Sequence, residues 1–218
     1  MTMTANEIYT ILRAGGLSRA GALGMIGNMA AESGLKEDIA QRGMTKLSDA
    51  QYTAAADNGL IDFVHDSVGY GLYQLTYYKR KQNYLNFVKA KGVSVGNGEA
   101  QCEFCLKELR EDYPALYAFL CETDDIDKAT YGICVDFERP AVNNFETRRE
   151  FAHKYESEIA DYTPTVDPVY QAVFPPNPTI LAIQMWMNYN GYAVPINGYK
   201  SKDFFSTLRT FIDDMESC

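Results

Sequence analysis

One acidic residue near the start of the chain, Glu32, has neighbours that suit it to donate a proton. Glu32 follows an apolar stripe at helical spacing, which consists of Leu23, Ile26, Met29 and Ala30. Gly34 favours a left-handed helix end, so Glu32 is predicted to lie in the last helical turn. The negative end of the helix dipole and the apolar neighbours both favour the protonated carboxyl. The pattern therefore indicates a general acid that works near neutral pH.

A second segment of interest runs from Val68 to Thr76. It contains two glycines, two tyrosines and one glutamine, which are Gly69, Gly71, Tyr70, Tyr73 and Gln74. Glycines at this spacing predict a turn or hairpin that leads into the next helix. Asp62 and Asp66 come shortly before it, so further carboxylates are available close to the turn.

Together these segments resemble the lysozyme superfamily, and they are most similar to the phage tail-lysozyme family. The resemblance spans residues 5–160 and rests on Glu32-Ser33-Gly34, on Gly71-Leu72-Tyr73-Gln74, on residues 101–109, on Phe137-Glu138-Arg139-Pro140-Ala141 and on Arg148-Arg149. It implies a mainly α fold of the α+β lysozyme-like type, with a small β-hairpin and loop region. It also implies an enzyme that cuts bacterial peptidoglycan.

The resemblance also implies roles for particular side chains. Glycosidic cleavage needs a proton donor and a second group that handles the oxocarbenium-like centre. Glu32 is the expected donor, and Asp66 is the expected second carboxylate because a water-positioning Asp precedes the equivalent turn in goose-type lysozymes. The expected substrate-binding residues are Ser33, Asp62, Tyr70, Tyr73, Gln74 and Glu138. Tyrosine offers a flat apolar face to a sugar ring, and glutamine both donates and accepts hydrogen bonds.

Structural roles remain open for two of these residues. Asp66 is also suited to a hairpin turn, in which its carboxylate accepts hydrogen bonds from local backbone amides. Glu138 and Arg139 precede Pro140, and such a pair is also suited to clamp two helices together.

Helical patterns account for most of the chain up to residue 159. Thr4 and Glu7 form a capping box before the first helix, and Ser18 is the expected cap of the helix that carries Glu32. Further helices are predicted at residues 79–91, 99–111, 114–121, 125–136 and 145–159. Residues 37–67 lack periodicity, so we expect them to fold as a loop over one side of a cleft. Little of the chain alternates with period two, so any sheet is expected to be small.

The C-terminal part has a different composition. Residues 161–179 hold five of the eight prolines, which predicts an extended linker between a catalytic domain of residues 1–160 and a module of residues 180–218. The module resembles the small helical peptidoglycan-binding domain of many wall hydrolases, and the expected wall-binding residues are Trp186, Tyr189 and Tyr192. The alternative is a short helical appendage that packs on the main domain.

Charge and cysteine content exclude several other classes. The net charge of −9 argues against a nucleic-acid partner, which requires a basic surface. No apolar run is long enough to span a membrane, and the N-terminus lacks the basic and apolar blocks of a secretory signal. The five cysteines are an odd and scattered set, and Cys102 and Cys105 share a helix face with Leu106 and Leu109, which indicates core packing. We expect neither a metal nor a cofactor.

The sequence thus predicts a phage endolysin that cleaves the β-1,4 bond between N-acetylmuramic acid and N-acetylglucosamine, with Glu32 as general acid. Two alternatives remain, a lytic transglycosylase that uses Glu32 alone and a non-catalytic wall-binding or virion structural protein. A lysis enzyme would accumulate in the host cytoplasm before it reaches the cell wall, whereas a tail component would arrive from outside. The sequence does not indicate an oligomeric state.

Overall fold

A computed structural model describes residues 3–140 and 144–159, and this part of the chain is mostly helical. The helices are α1 (Ala5–Ala14), α2 (Arg19–Ser33), α3 (Asp49–Asp57), α4 (Tyr78–Lys91), α5 (Gly98–Asp112), α6 (Pro114–Glu122), α7 (Ile126–Gly132), a π-helix (Ile133–Glu138) and α8 (Phe145–Glu158). The mainly helical, lysozyme-like fold predicted from the sequence is confirmed. The predicted linker and the predicted module with Trp186, Tyr189 and Tyr192 lie outside the described residues.

Two segments differ from the helical prediction. Residues 49–57 form α3 inside the stretch expected to be irregular, where Ser48 and Gln51 make a capping box. Only Tyr52 and Ala56 of α3 are buried, so the segment lacks the long apolar stripe by which a helix is recognised in a sequence. The helix predicted for residues 125–136 begins as α7 and continues as the π-helix, which ends at Glu138.

Helix α2 lies at the centre of the described fold and packs against α1, α6, α7, α8 and the π-helix. The predicted caps are present, since Ser18 accepts a hydrogen bond from Gly21 N and Gly34 ends the helix with φ 63°. The predicted stripe of Leu23, Ile26, Met29 and Ala30 is buried, and so is every other residue from Ala20 to Ala30. Small residues interrupt the apolar ones in this helix, and they allow neighbouring helices to surround it.

Gly27 shows how closely α8 approaches α2. A Cβ atom at this position would meet the carbonyl oxygen of Arg148 at 2.5 Å and the Cβ of Ala152 at 2.8 Å. Any larger residue would therefore push α8 outward. The close approach also brings Arg148 beside the C-terminal end of α2, where Glu32 lies.

The predicted hairpin is a tight turn between Tyr70 and Leu75, whose backbone groups exchange hydrogen bonds of 3.2 and 2.9 Å. Gln101 of α5 holds this turn against the preceding loop. Its Oε1 accepts a hydrogen bond from Leu72 N at 2.8 Å, and its Nε2 donates to Glu37 O at 2.7 Å. The turn is therefore fixed by a buried side chain from a distant helix.

Cys102 and Cys105 lie in the hydrophobic core, as predicted, and burial raises the pKa of both thiols. No helix within residues 3–140 and 144–159 is long and apolar enough to cross a membrane.

Candidate active site

Glu32 occupies the last turn of α2, as the sequence predicted. Its side chain is 21% exposed, and Arg148 of α8 donates a hydrogen bond from Nη2 to its Oε1. The carboxylate therefore lies at the protein surface with one oxygen held by a buried cation. This ion pair was not predicted from the sequence.

Arg148 is fixed by further contacts. Its Nη1 donates to Asn28 Oδ1 at 2.9 Å, and its Nε donates to Asn144 Oδ1 at 2.8 Å. Asn28 is itself buried and donates to the carbonyl oxygens of Gly24 and Thr130. Because each polar group in this chain of contacts has a partner, the guanidinium is held in one position relative to Glu32.

Ser33 joins the Glu32 helix to the Gly-Leu-Tyr-Gln turn. Its hydroxyl is buried and lies 2.9 Å from Met29 O and 2.8 Å from Leu72 O. The contact links two motifs that are far apart in the sequence. Its predicted role in substrate binding stays a prediction, since the observed contacts serve the fold.

The two tyrosines of the turn are enclosed. Tyr70 is 1% exposed and its hydroxyl lies 2.6 Å from Thr53 Oγ1. Tyr73 is 2% exposed, and its ring centroid lies 5.9 Å from that of Phe137. A stacking role for either ring thus requires movement of the side chains around it.

Gln74 is only partly buried, and it adopts a left-handed backbone conformation with φ 47°. Its Nε2 donates to Gly71 O at 3.1 Å, so the side chain stabilises the turn in which it lies. A non-glycine residue in this conformation carries a backbone cost that the surrounding contacts offset. A contact with substrate stays a prediction.

Asp66 belongs to a separate cluster. Its Oδ2 accepts a hydrogen bond from the Tyr52 hydroxyl at 2.6 Å, and its Oδ1 accepts from Lys81 Nζ at 2.7 Å and Val68 N at 3.1 Å. The Lys81 side chain is fully buried, and its Nζ lies 4.3 Å from the centroid of the Phe63 ring. Burial lowers the pKa of Lys81, and Asp66 opposes that shift by supplying the counter-charge.

Asp62, four residues before Asp66, lies in the solvent. Its side chain is 67% exposed, and its Oδ1 is 3.1 Å from His65 Nδ1. The hydrogen bond from His65 lowers the pKa of Asp62. The two aspartates predicted to serve the same site therefore differ in burial and in partners.

Glu138 ends the π-helix and lies within electrostatic range of Glu32 and Arg148. Its Oε1 is inaccessible to solvent and has no hydrogen-bond partner among the described residues. Burial raises the pKa of Glu138 to about 8, while Arg80 opposes the shift. Arg139 Nε donates to Asp136 O at 2.9 Å, and its guanidinium carbon lies 5.9 Å from the centroid of the Tyr113 ring. The suggested clamp between helices stays a prediction.

Arg80 completes the surroundings of Glu138. It forms a bidentate ion pair with Glu108, with distances of 2.8 and 2.9 Å. Its guanidinium carbon lies 4.5 Å from the centroid of the Phe137 ring and 5.4 Å from that of Tyr73. The ion pair therefore connects α4 and α5 to the turn and to the π-helix.

The family model for the phage tail lysozyme matches residues 3–158. The chain belongs to the phage tail lysozyme family. No curated protein matches the chain. Membership implies a lysozyme-type enzyme of the glycosidase class with peptidoglycan as its substrate.

The contacts within the described residues join the predicted site residues only in part. Glu32, Ser33, Tyr73 and Glu138 lie around the end of α2 and the facing π-helix, through the contacts with Arg148, Leu72 and Phe137 described above. Asp66 and Tyr70 lie in the cluster that contains Tyr52, whose ring centroid is 5.4 Å from that of Tyr70.

Three charged residues at these sites were missed by sequence reasoning. Arg148 was part of the resemblance, but nothing local indicated that it would reach Glu32. Arg80 and Lys81 stand in a basic run, Lys79-Arg80-Lys81, which is typical of a solvated surface. The structure instead buries Lys81 and pairs Arg80, because each has an acidic partner on another segment.

Proposed function

We propose that this protein is an N-acetylmuramidase that cleaves the β-1,4 bond between N-acetylmuramic acid and N-acetylglucosamine, with Glu32 as general acid. The observation that carries the proposal is the position of Glu32 within the family match: a partly exposed carboxyl, at the end of a buried helix, on a fixed guanidinium. A rigid scaffold of this kind holds a reacting group in place without further ordering.

The contact with Arg148 supports a specific role for the ion pair. When Glu32 gives its proton to the glycosidic oxygen, its carboxyl becomes negatively charged. Arg148 already donates a hydrogen bond to Oε1 of Glu32, so it stabilises the negative charge as it develops on the carboxyl and needs no reorganisation. The interaction is therefore stronger in the transition state than in the protonated ground state.

The contacts give less support to a second catalytic carboxylate, the group that would handle the oxocarbenium-like centre. Asp66 is the sequence-based proposal, but both of its oxygens are engaged by protein donors and it neutralises the buried Lys81. This observation favours one alternative in particular, a lytic transglycosylase, which uses a single acid/base carboxyl and lets a substrate hydroxyl attack. The two reactions give different products.

The remaining assignments are proposals of the same kind. We propose that the glycan near Glu32 contacts Gln74, Asp62 and Ser33. The buried rings of Tyr70 and Tyr73 are proposed to support that surface from the protein interior. Trp186, Tyr189 and Tyr192 are proposed as wall-binding residues of the C-terminal module. We propose a role in lysis of the host, with a role in the virion tail as the alternative.

The deciding experiment is mass spectrometry of fragments released from purified peptidoglycan by the wild type and by Glu32→Gln. Reducing muramic ends from the wild type, at least 100-fold fewer from the variant, are expected for a muramidase that acts through Glu32, since general acid catalysis contributes about 10²–10⁴-fold. Glu150→Gln, which removes an exposed carboxylate from α8, is the matched control. Anhydro-muramic ends would assign the protein as a transglycosylase, and no fragments from any of the three would leave a non-catalytic wall-binding protein.

A further inference from the structure

A row of aromatic rings is exposed directly after the Gly-Leu-Tyr-Gln turn. Tyr77 is 54% exposed and Tyr78 is 46% exposed, and both lie at the start of α4. Their ring centroids are 4.9 Å apart. The ring of His65, also exposed, stacks on Tyr78 with a centroid distance of 5.9 Å and an interplanar angle of 25°. These three rings form one continuous surface, which we call the aromatic platform.

The aromatic platform is held in shape by contacts among its own members and with Asp62. Nδ1 of His65 lies 3.1 and 3.2 Å from the two carboxylate oxygens of Asp62, which orients the imidazole ring. Tyr78 stacks on His65 on one side and meets Tyr77 edge-to-face, at 68°, on the other. Stacked and edge-to-face pairs are the arrangements that aromatic rings favour. A ligand therefore meets a surface that is already ordered, which lowers the entropy cost of binding.

Ordered but exposed aromatic rings are suited to a sugar. A pyranose ring has an apolar face of C–H groups and a rim of hydroxyls, so it packs on an aromatic face while its hydroxyls bond to nearby polar groups. The phenol groups of Tyr77 and Tyr78 supply such polar groups, and Lys79 Nζ lies 6.0 Å from the centroid of the Tyr78 ring. A purely apolar partner would leave these donors and acceptors unpaired. The chemistry of the platform thus favours a carbohydrate.

The chain connects the aromatic platform closely to Glu32. The hydroxyl of Ser33, the next residue, lies 2.8 Å from Leu72 O in the turn. Tyr77 follows Leu72 by five residues, which span at most about 18 Å when fully extended. The actual span is shorter, because Gln74 N donates to the carbonyl oxygen of Gly71 and reverses the chain. A glycan of several sugars therefore reaches from Glu32 to the platform.

We propose that the aromatic platform is a glycan-binding subsite, in which Tyr77 and Tyr78 stack on sugar rings of the strand that is cleaved at Glu32. This inference rests on the proposed function, because a strand bound at Glu32 is what brings a polysaccharide to this face. Tyr70 and Tyr73 in the preceding turn are buried and present no open face to a sugar. The exposed tyrosines bind sugars away from the reacting bond and so hold the strand in register.

The test measures binding of soluble, uncrosslinked peptidoglycan strands to the full chain by isothermal titration calorimetry. Glu32→Gln serves as the parent, so that strands are not consumed. Adding Tyr77→Ala and Tyr78→Ala is expected to weaken binding at least about tenfold, since the apolar area buried by both rings is lost. The matched control adds Tyr131→Ala, which removes a tyrosine of similar exposure, 51%, from α7 and should leave the dissociation constant unchanged. The C-terminal residues are present in every variant, so they do not account for a difference.

Phenylalanine variants separate the ring faces from the hydroxyls. Tyr77→Phe with Tyr78→Phe keeps both faces, so its binding is expected to lie closer to the parent than to the alanine pair. Both pairs of substitutions leave the backbone hydrogen bond of 3.0 Å from Lys81 N to Tyr77 O in place, and circular dichroism checks that each variant is folded. Binding by the phenylalanine pair as weak as that of the alanine pair would overturn stacking as the mode of recognition.

Unchanged glycan binding by the alanine pair would overturn the proposal as a whole. If sedimentation velocity then showed self-association that the alanine pair abolishes, the platform would instead be covered by a second copy of the chain. Release of fragments is measured separately, in proteins that keep Glu32. Cleavage by the wild type with unchanged binding by the alanine pair defeats the subsite alone, whereas weakened binding by the alanine pair with no cleavage by the wild type defeats the proposed function.

Discussion

Two ion pairs of the molecule look alike at first and differ in what surrounds them. In one, the fully buried Lys81 meets Asp66, which is 20% exposed; in the other, Arg148 at 1% exposure meets Glu32 at 21%. Asp66 accepts hydrogen bonds on both oxygens, from Tyr52, Lys81 and Val68. The contact of Glu32 with Arg148 engages Oε1.

The two acids differ in how much of the surrounding structure depends on their negative charge. Asp66 neutralises a buried lysine and closes the turn before Val68, so its removal leaves an uncompensated charge in the interior. Arg148 has two asparagine partners besides Glu32, and these hold it in place when Glu32 changes charge. We therefore expect the first pair to stabilise the fold and the second to serve the reaction.

The largest effect on stability is expected for Asp66→Asn. The amide leaves Lys81 buried without a counter-charge, which costs about 3–5 kcal/mol of unfolding free energy. Asp62→Asn, which alters an exposed aspartate, is expected to change it by less than about 0.5 kcal/mol. Urea denaturation measures both. The folded fraction of Asp66→Asn should retain activity within about tenfold; wild-type stability together with lost cleavage would instead make Asp66 a catalytic residue.

A smaller effect, dependent on pH, is expected for Glu138→Gln. The pKa of Glu138 is about 8 in the folded state against 4.5 for the ordinary residue, so the folded protein holds the proton more tightly. Its contribution to stability is fully present below about pH 4.5 and is lost as the pH rises to about 8. Relative to the variant, the wild type should lose roughly 2–4 kcal/mol between pH 5 and pH 8. An equal change of unfolding free energy with pH in the two proteins across this range would contradict the raised pKa of Glu138.

Arg148→Lys probes the second ion pair, with Arg149→Lys as its control. Lysine can still meet Glu32, but it cannot at the same time reach Asn28 and Asn144, and an unpaired buried amide costs about 1–3 kcal/mol. Arg149 is 42% exposed, so its replacement should cost less than about 0.5 kcal/mol. We expect cleavage by Arg148→Lys to fall roughly tenfold. Equal stability and activity of the two variants would show that the fixed guanidinium is unimportant.

The smallest effect is expected for Gly34→Ala at the end of the Glu32 helix. A Cβ at this position meets nothing within 4 Å, so the cost comes only from the left-handed backbone, with φ 63°. About 1 kcal/mol of unfolding free energy should be lost, and less for Gly34→Asn, which tolerates this conformation better. Activity should change little, because Arg148 holds Glu32 from another helix. A large loss of cleavage in Gly34→Ala would mean that the helix end itself positions the acid.

Much of the helical layout follows from residues close together in the sequence. The capping box of Thr4 and Glu7, the cap at Ser18 and the left-handed stop at Gly34 were predicted, and each depends on contacts over a few residues. α3 and the π-helix were not predicted, because α3 has only two buried positions and the π-helix follows α7 without a break in the pattern. The position of Glu32 at a helix end also followed from local pattern alone.

The surroundings of the predicted site residues were decided by tertiary structure. Arg148 reaches Glu32 across 116 positions of the chain, and Lys81 reaches Asp66 across 15. The burial of Tyr70 and Tyr73 likewise depends on rings from other segments. A sequence states which residues are charged, but the partner of a charge is set by how helices pack, as at Gly27, where α8 touches α2. The sequence by itself determined most of the helices, the family resemblance and the placement of Glu32. Only the packing decided which cation each partly buried carboxyl meets, because those partners lie on other segments.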